Sequence, residues 1–132
     1  MPGQEERVKQ LEQVRERCLL EIRRLREELR VEIERTAAGD EDSADAAANM
    51  YERTRIISLI ETQQAKLRAL EHAIDLAKKG TYGICEACGQ PIPEERLKIV
   101  PETTLCVGCA TKMEQGMRRH RLRTRGRVGP RR

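Results

Sequence analysis

Cys85-Glu86-Ala87-Cys88 and, after seventeen intervening residues, Cys106-Val107-Gly108-Cys109 are the two stretches on which the reading of this chain turns. Two residues between thiolates allow each pair to form a tight knuckle whose sulfurs converge, and two knuckles complete a tetrahedron that Zn²⁺ accepts without electronic penalty. Gly89, directly after Cys88, frees the backbone to turn its amides toward the sulfurs. With protein at all four positions no water can bind and be activated, so the expected role of Cys85, Cys88, Cys106 and Cys109 is to hold one structural zinc. Two disulfides, a redox-active cysteine pair and an iron–sulfur cluster are the competing uses of such spacing. A reducing compartment weighs against the first two.

Upstream of the first knuckle lie two long segments of helical character. Residues 4–38 contain neither Gly nor Pro, and place Leu11, Val14, Cys18, Ile22, Leu25, Leu29 and Ile33 at steps of three and four. Leu11, Ile22 and Ile33 mark an eleven-residue repeat, which favours a straight or weakly right-handed seam. Cys18 sits on that seam as a small hydrophobe. Gly39 is a natural helix stop, and Asp40-Glu41-Asp42-Ser43 supplies turn and N-cap chemistry. A second helix is expected over 44–79, with Ile56, Ile60, Leu67, Leu70, Ile74 and Ala77 on one stripe and Gln63 as a polar layer within it. Two such helices joined by a short turn fold back antiparallel to cover each other's stripes. About 35 residues give an arm roughly 50 Å long. Toward the turn Ala46, Ala47, Asn49 and Arg53 replace large aliphatics, so the distal end is expected to be thin, polar and acidic.

The fold class is therefore mainly α: a long antiparallel two-helix coiled-coil hairpin on a small four-cysteine zinc-finger base with a short C-terminal helix. The expected divisions are the hairpin over 4–79 with its acidic tip at 39–47, the finger and C-terminal helix over 80–120, and a basic disordered tail over 121–132. Met113 and Met117 fall on the short helix, expected over 110–120.

Composition agrees with a thin molecule. Charged residues make up 36% of the 132 residues and aromatics 2%, with Tyr51 and Tyr82 the whole aromatic complement. Apolar residues of this kind line helix seams, and a small core of this type is usually reinforced by a metal or by disulfides. The net charge of +4 hides a separation: residues 112–132 hold nine Lys/Arg against one Glu, and residues 1–111 hold 17 against 21 Asp/Glu. Met1-Pro2-Gly3-Gln4 runs straight into Glu5, Glu6 and Arg7, so no signal peptide is expected, and no apolar run is long enough to span a bilayer. A cytoplasmic monomer with no membrane partner is the expectation.

The stretch Tyr82-Gly83-Ile84-Cys85-Glu86-Ala87-Cys88-Gly89, with Ile92, Arg96-Leu97, Pro101, Cys106 and Cys109, resembles the DksA/TraR zinc-finger family. The resemblance covers the finger closely and the hairpin by layout, over about residues 4–115. It extends to the tip, where DksA-like proteins carry Asp-x-x-Asp-x-Ala and this chain reads Asp42-Ser43-Ala44-Asp45-Ala46-Ala47. It implies a transcription regulator that binds bacterial RNA polymerase and inserts its coiled-coil tip, with Asp42, Asp45 and Ala47, into the secondary channel to modulate initiation. Asp42 as an N-cap and Asp45 in the first helical turn are also good capping chemistry, and a rigid tip serves both roles. One departure stands out. DksA proper uses basic residues near the finger to hold guanosine tetraphosphate, and the matching positions here are Val100 and Ala110. Arg96, Lys98 and Lys112 lie nearby in sequence, yet in this respect the chain looks like TraR-type members that act without the nucleotide.

A different reading is a zinc-finger nucleic-acid binder acting through its arginine-rich tail, with Arg118, Arg119, Arg121 and Arg123 as candidates for phosphate contact. The tail has no aromatic platform on which single-stranded bases could stack. His72 and His120 are expected at the surface. Nothing in the sequence pairs a nucleophile with a base, opens a metal site or forms a phosphate-binding glycine loop, so no enzymatic activity is expected.

Overall fold

In a computed structural model, residues 3–37 and 43–126 are described. They form α1 (Gln4–Ala37), α2 (Ser43–Lys79), α3 (Glu94–Ile99) and α4 (Val107–Gly126). The architecture is mainly α, and among the described residues α1 and α2 are the only helices whose backbones lie within 8 Å of each other. The expected turn, including Gly39 and Asp42, lies outside the described residues.

The seam follows the sequence pattern at the finger end. Leu11, Cys18 and Ile22 of α1 are buried against Leu70, Ala73, Ile74 and Ala77 of α2, with Val8, Val14, Leu67 and Tyr82 packed around them. Leu25 and Ile56 extend the burial outward. Gln63 is accommodated rather than excluded: the Cys18 thiol donates to the Gln63 backbone carbonyl at 3.3 Å and to its side-chain Oε1 at 3.4 Å. Burial pushes the Cys18 thiol above its ordinary pKa, so it stays protonated and able to donate. Cys18 is thus a buried seam residue and also the partner of the polar layer.

Toward the tip the seam loosens as expected. Ile33 is 44% exposed, Met50 71% and Tyr51 75%. Polar links join the helices there instead. Arg55 reaches Glu28 at 3.3 Å, Arg35 donates to Asn49 at 3.1 Å, and Arg53 donates to the Thr36 hydroxyl.

α2 stops where Gly80 takes the left-handed conformation (φ 81°). The Gly80 amide donates to the Ala77 carbonyl at 3.1 Å and the Thr81 amide to that of Leu76 at 2.9 Å. This paired geometry needs a residue without a Cβ penalty at that point.

The C-terminal helix departs from expectation. It begins at Val107 and runs through Gly126, so residues 121–126, expected to be disordered, are helical. Arg and Leu are good helix formers, and no proline intervenes before Pro130. A run without an apolar stripe is still helical when its residues have high helix propensity. Residues 127–132 of the expected tail lie outside the described residues. α3, six residues long, was not anticipated.

Candidate functional site

Each cysteine pair is positioned by its own short piece of backbone. Ile84 and Pro91 form an isolated antiparallel bridge, and the Ile92 amide donates to the Gly83 carbonyl at 2.7 Å. Within that loop the Cys85 amide donates to the Gln90 carbonyl at 2.8 Å, and Gly89, at φ 76°, donates to Cys85 at 2.9 Å. The chain thereby doubles back so that Cys85 and Cys88 face the same point. The second pair straddles the start of α4, where the Ala110 amide donates to the Cys106 carbonyl at 2.9 Å. A helix N-terminus beside thiolates is electrostatically favourable. A hydrogen bond from the Glu86 amide to the Thr104 carbonyl, 2.9 Å, joins the two halves.

The four sulfurs lie within 4.8 Å of one another, and those of Cys88 and Cys106 are 3.9 Å apart. Four sulfurs placed tetrahedrally at a zinc–sulfur distance of about 2.3 Å are separated by roughly 3.8 Å, so the cluster fits that ion. Its acid–base behaviour agrees. The Cys106 amide, with those of Cys88 and Ala87, brings Cys85 down to about 6. Cys109 is driven up to about 12 by Cys106, Cys85 and Cys88. Four thiols at one point cannot all ionise unless a cation joins them, and a divalent metal removes that conflict. The cofactor is one structural zinc, which these cysteines would hold in a closed shell.

The finger has a small core of its own. Cys85, Ile92 and Leu97 are buried, with Tyr82, Leu105, Cys106 and Cys109 against them. α3 serves this core by inserting Leu97. Arg96 is committed to the same purpose: its Nε donates to the Leu105 carbonyl at 3.1 Å and its Nη2 to the Thr103 hydroxyl at 3.3 Å.

Arg7 and His72 fasten the finger to the hairpin, and Tyr82 is braced from within the finger, contacts that sequence reading missed. Arg7 pairs with Glu94 at 2.6 Å and lies 5.4 Å from the centroid of the Tyr82 ring. The Tyr82 hydroxyl donates to the Pro101 carbonyl at 2.8 Å. His72 on α2 meets Glu86, inside the first knuckle, at 2.6 Å. None has a local signature, since the partners stand 14 to 87 residues apart.

The remaining expected site residues lie apart from the cysteines. Asp45 and Ala47 are exposed near the start of α2, with Asp45 in its first turn. Arg118, Arg119, Arg121 and Arg123 are exposed on α4. Val100 caps the end of α3 and Ala110 is half-buried in the first turn of α4.

Fold and site together define a four-thiolate zinc-finger protein built on an antiparallel helical hairpin. Residues 80–115 match the prokaryotic dksA/traR C4-type zinc finger. Protein TraR of Escherichia coli K12 is 39% identical over 79 residues, covering 60% of this chain and 94% of TraR. The RNA polymerase-binding transcription factor DksA of Caulobacter vibrioides is 28% identical over 116 residues, covering 86% of this chain and 82% of that protein. The structure of transcription factor DksA2 from Pseudomonas aeruginosa superposes with a TM-score of 0.69 at 25% identity, over 87% of this chain and 85% of that one. Other curated relatives are longer, and the chain spans 51% of one and 28% of another. The chain belongs to the DksA/TraR family.

Proposed function

We propose that the protein is a cytoplasmic transcription regulator that binds bacterial RNA polymerase and inserts the acidic end of its α1–α2 hairpin into the secondary channel. The observation that carries this reading is the division of labour along the hairpin. One end is fixed to the zinc finger by Arg7, Tyr82 and His72, and toward the other Asp45 and Ala47 are exposed near the start of α2. Helices of 34 and 37 residues give an arm roughly 50 Å long at 1.5 Å per residue. The name borne by the Caulobacter relative, an RNA polymerase-binding transcription factor, supports the partner. The unit that acts is the hairpin over 4–79 together with the finger that follows it. No helix among the described residues is long and apolar enough to cross a membrane.

In this reading the base and shaft supply most of the contact area, and Asp42 and Asp45 supply local charge near the polymerase's catalytic metal. Guanosine tetraphosphate is not required. Val100 and Ala110 offer no charge to a phosphate, and Arg96 is held by Leu105 and Thr103.

The test uses the zinc-loaded protein and core polymerase. Asp45→Asn should abolish the effect on transcription while leaving polymerase affinity within about twofold, because a first-turn acid contributes only about 0.3–1 kcal/mol to its own helix. Parallel loss of both properties would make Asp45 a docking residue, and failure of the parent protein to bind polymerase would sink the reading. Adding the nucleotide, on a polymerase stripped of its other site for it, should change little.

A further inference from the structure

We infer that the exposed part of α4 is a sequence-independent binding element for double-stranded DNA, lying in a groove with its arginines on the phosphates of both flanks. This inference does not rest on the polymerase reading.

Beyond its first turn the helix packs against no other helix: its backbone comes within 8 Å of none among the described residues, and residues 111–123 are all exposed. Its side chains are nevertheless ordered around the axis. At about 100° per residue, Lys112, Arg118, Arg119, Arg121 and Arg123 fall within an arc of roughly 200°. Ala110, Met113 and Met117 keep to a stripe about 60° wide on the opposite side. Glu114, the single acidic residue from 112 to 132 against nine Lys/Arg, falls inside this arc beside Arg121 and Arg118, so the arc is basic on balance and not uniformly.

The width of the basic arc selects the occupant. An α-helix is about 10–12 Å across with its side chains, and the major groove of B-form DNA is about 12 Å wide. A helix in such a groove meets phosphates on both flanks and therefore needs cations on both sides of its leading face. Here Arg121 lies on one side of that face and Arg119, Arg123 and Lys112 on the other. Leu122 lies at the middle of the arc, where it has no hydrogen bond to offer a base edge. Affinity should thus come from phosphates alone. A flat acidic protein surface would engage one flank and leave the other in water. Single strands are disfavoured because α4 contains no aromatic residue on which bases could stack.

The experiment follows the anisotropy of a short labelled duplex of arbitrary sequence with the full-length, zinc-loaded protein, between about 50 and 200 mM salt. Each phosphate contact contributes about 0.9 to the slope of log affinity against log salt. Replacing Arg118, Arg119, Arg121 and Arg123 together by Gln should lower that slope by about 3.6, so that the parent loses about a hundredfold more affinity than the variant across this range. Leu122→Pro leaves every charge in place and breaks the helix, and should weaken binding at least ~10-fold. A single strand of the same length should bind less tightly than the duplex. Equal affinity for the two strands' forms, parental affinity in Leu122→Pro, or an unchanged slope in the glutamine variant would overturn the proposal. Tighter binding to polyglutamate or to anionic vesicles than to duplex would also overturn it, reassigning α4 to an acidic protein or a membrane surface. Zinc content and circular dichroism establish that both variants keep the hairpin and finger.

Discussion

At the finger end of the hairpin Leu11, Cys18, Ile22, Leu70, Ala73, Ile74 and Ala77 close over one another, whereas beyond Leu25 and Ile56 the same two helices run on with Ile33, Met50 and Tyr51 largely in solvent. The backbone is equally helical in both halves, so the difference lies in what holds the helices together. Near the finger it is apolar burial, which offers no ion pair for salt to screen. Near the tip it is polar links such as Arg55–Glu28, Arg35–Asn49 and Arg53–Thr36, each worth little at a wet surface. The protein thus places its apolar burial at one end and its weaker polar links at the other.

The severest challenge to this contrast is removal of the metal. A structural zinc supplies roughly 10–16 kcal/mol in small fingers, so chelation, or Cys85→Ser, should unfold residues 80–109 while most of the α1 and α2 helix signal survives. Circular dichroism read beside metal analysis checks this. If all helix melted with the metal, the base and hairpin would be one cooperative unit and the division would fall.

A smaller effect compares the two halves of the seam directly. Leu70 is fully buried, and Leu70→Ala should cost about 2–5 kcal/mol in urea unfolding. Ile33→Ala, at an exposed position of the same stripe, should stay within about 0.5 kcal/mol. Similar losses at both sites would show that the distal half is packed after all.

The smallest concerns acid. Arg7, hydrogen-bonded to Glu94, holds that carboxyl below the usual glutamate range. A lowered folded pKa gives stability that is present above the unfolded value, about 4.3, and is lost as pH falls through and below it. Arg7→Met and Glu94→Gln should each flatten the acid limb of a stability–pH curve, and the double variant should do no more than either single one. A steeper limb in the variants would contradict the pairing.

Much of this architecture was readable because it repeats or is spaced. The seam positions from Leu11 to Leu25 and from Ile56 to Ala77 announce themselves by periodicity, and the cysteines by their intervals. Ala73 was missed because an alanine off the main stripe carries no hydrophobic signal, though it is fully buried in the seam with Leu70 and Ile74. α3 is too short for a period to show. The extent of α4 was hidden because its helix is made by arginines, whose propensity is high but whose pattern looks like a solvated run. The fastenings Arg7–Glu94, Tyr82–Pro101 and His72–Glu86 depend on distant residues meeting, which no local rule encodes.

Those fastenings have a mechanical meaning. The finger grips α1 through Arg7 and α2 through His72, and Gln4 of α1 donates to the Lys78 carbonyl at the root of α2. A beam held by one leg would swivel at Gly80. Held by both legs it behaves as a cantilever clamped at its root, and a sideways load at the far end is felt as torque on the metal-bearing base.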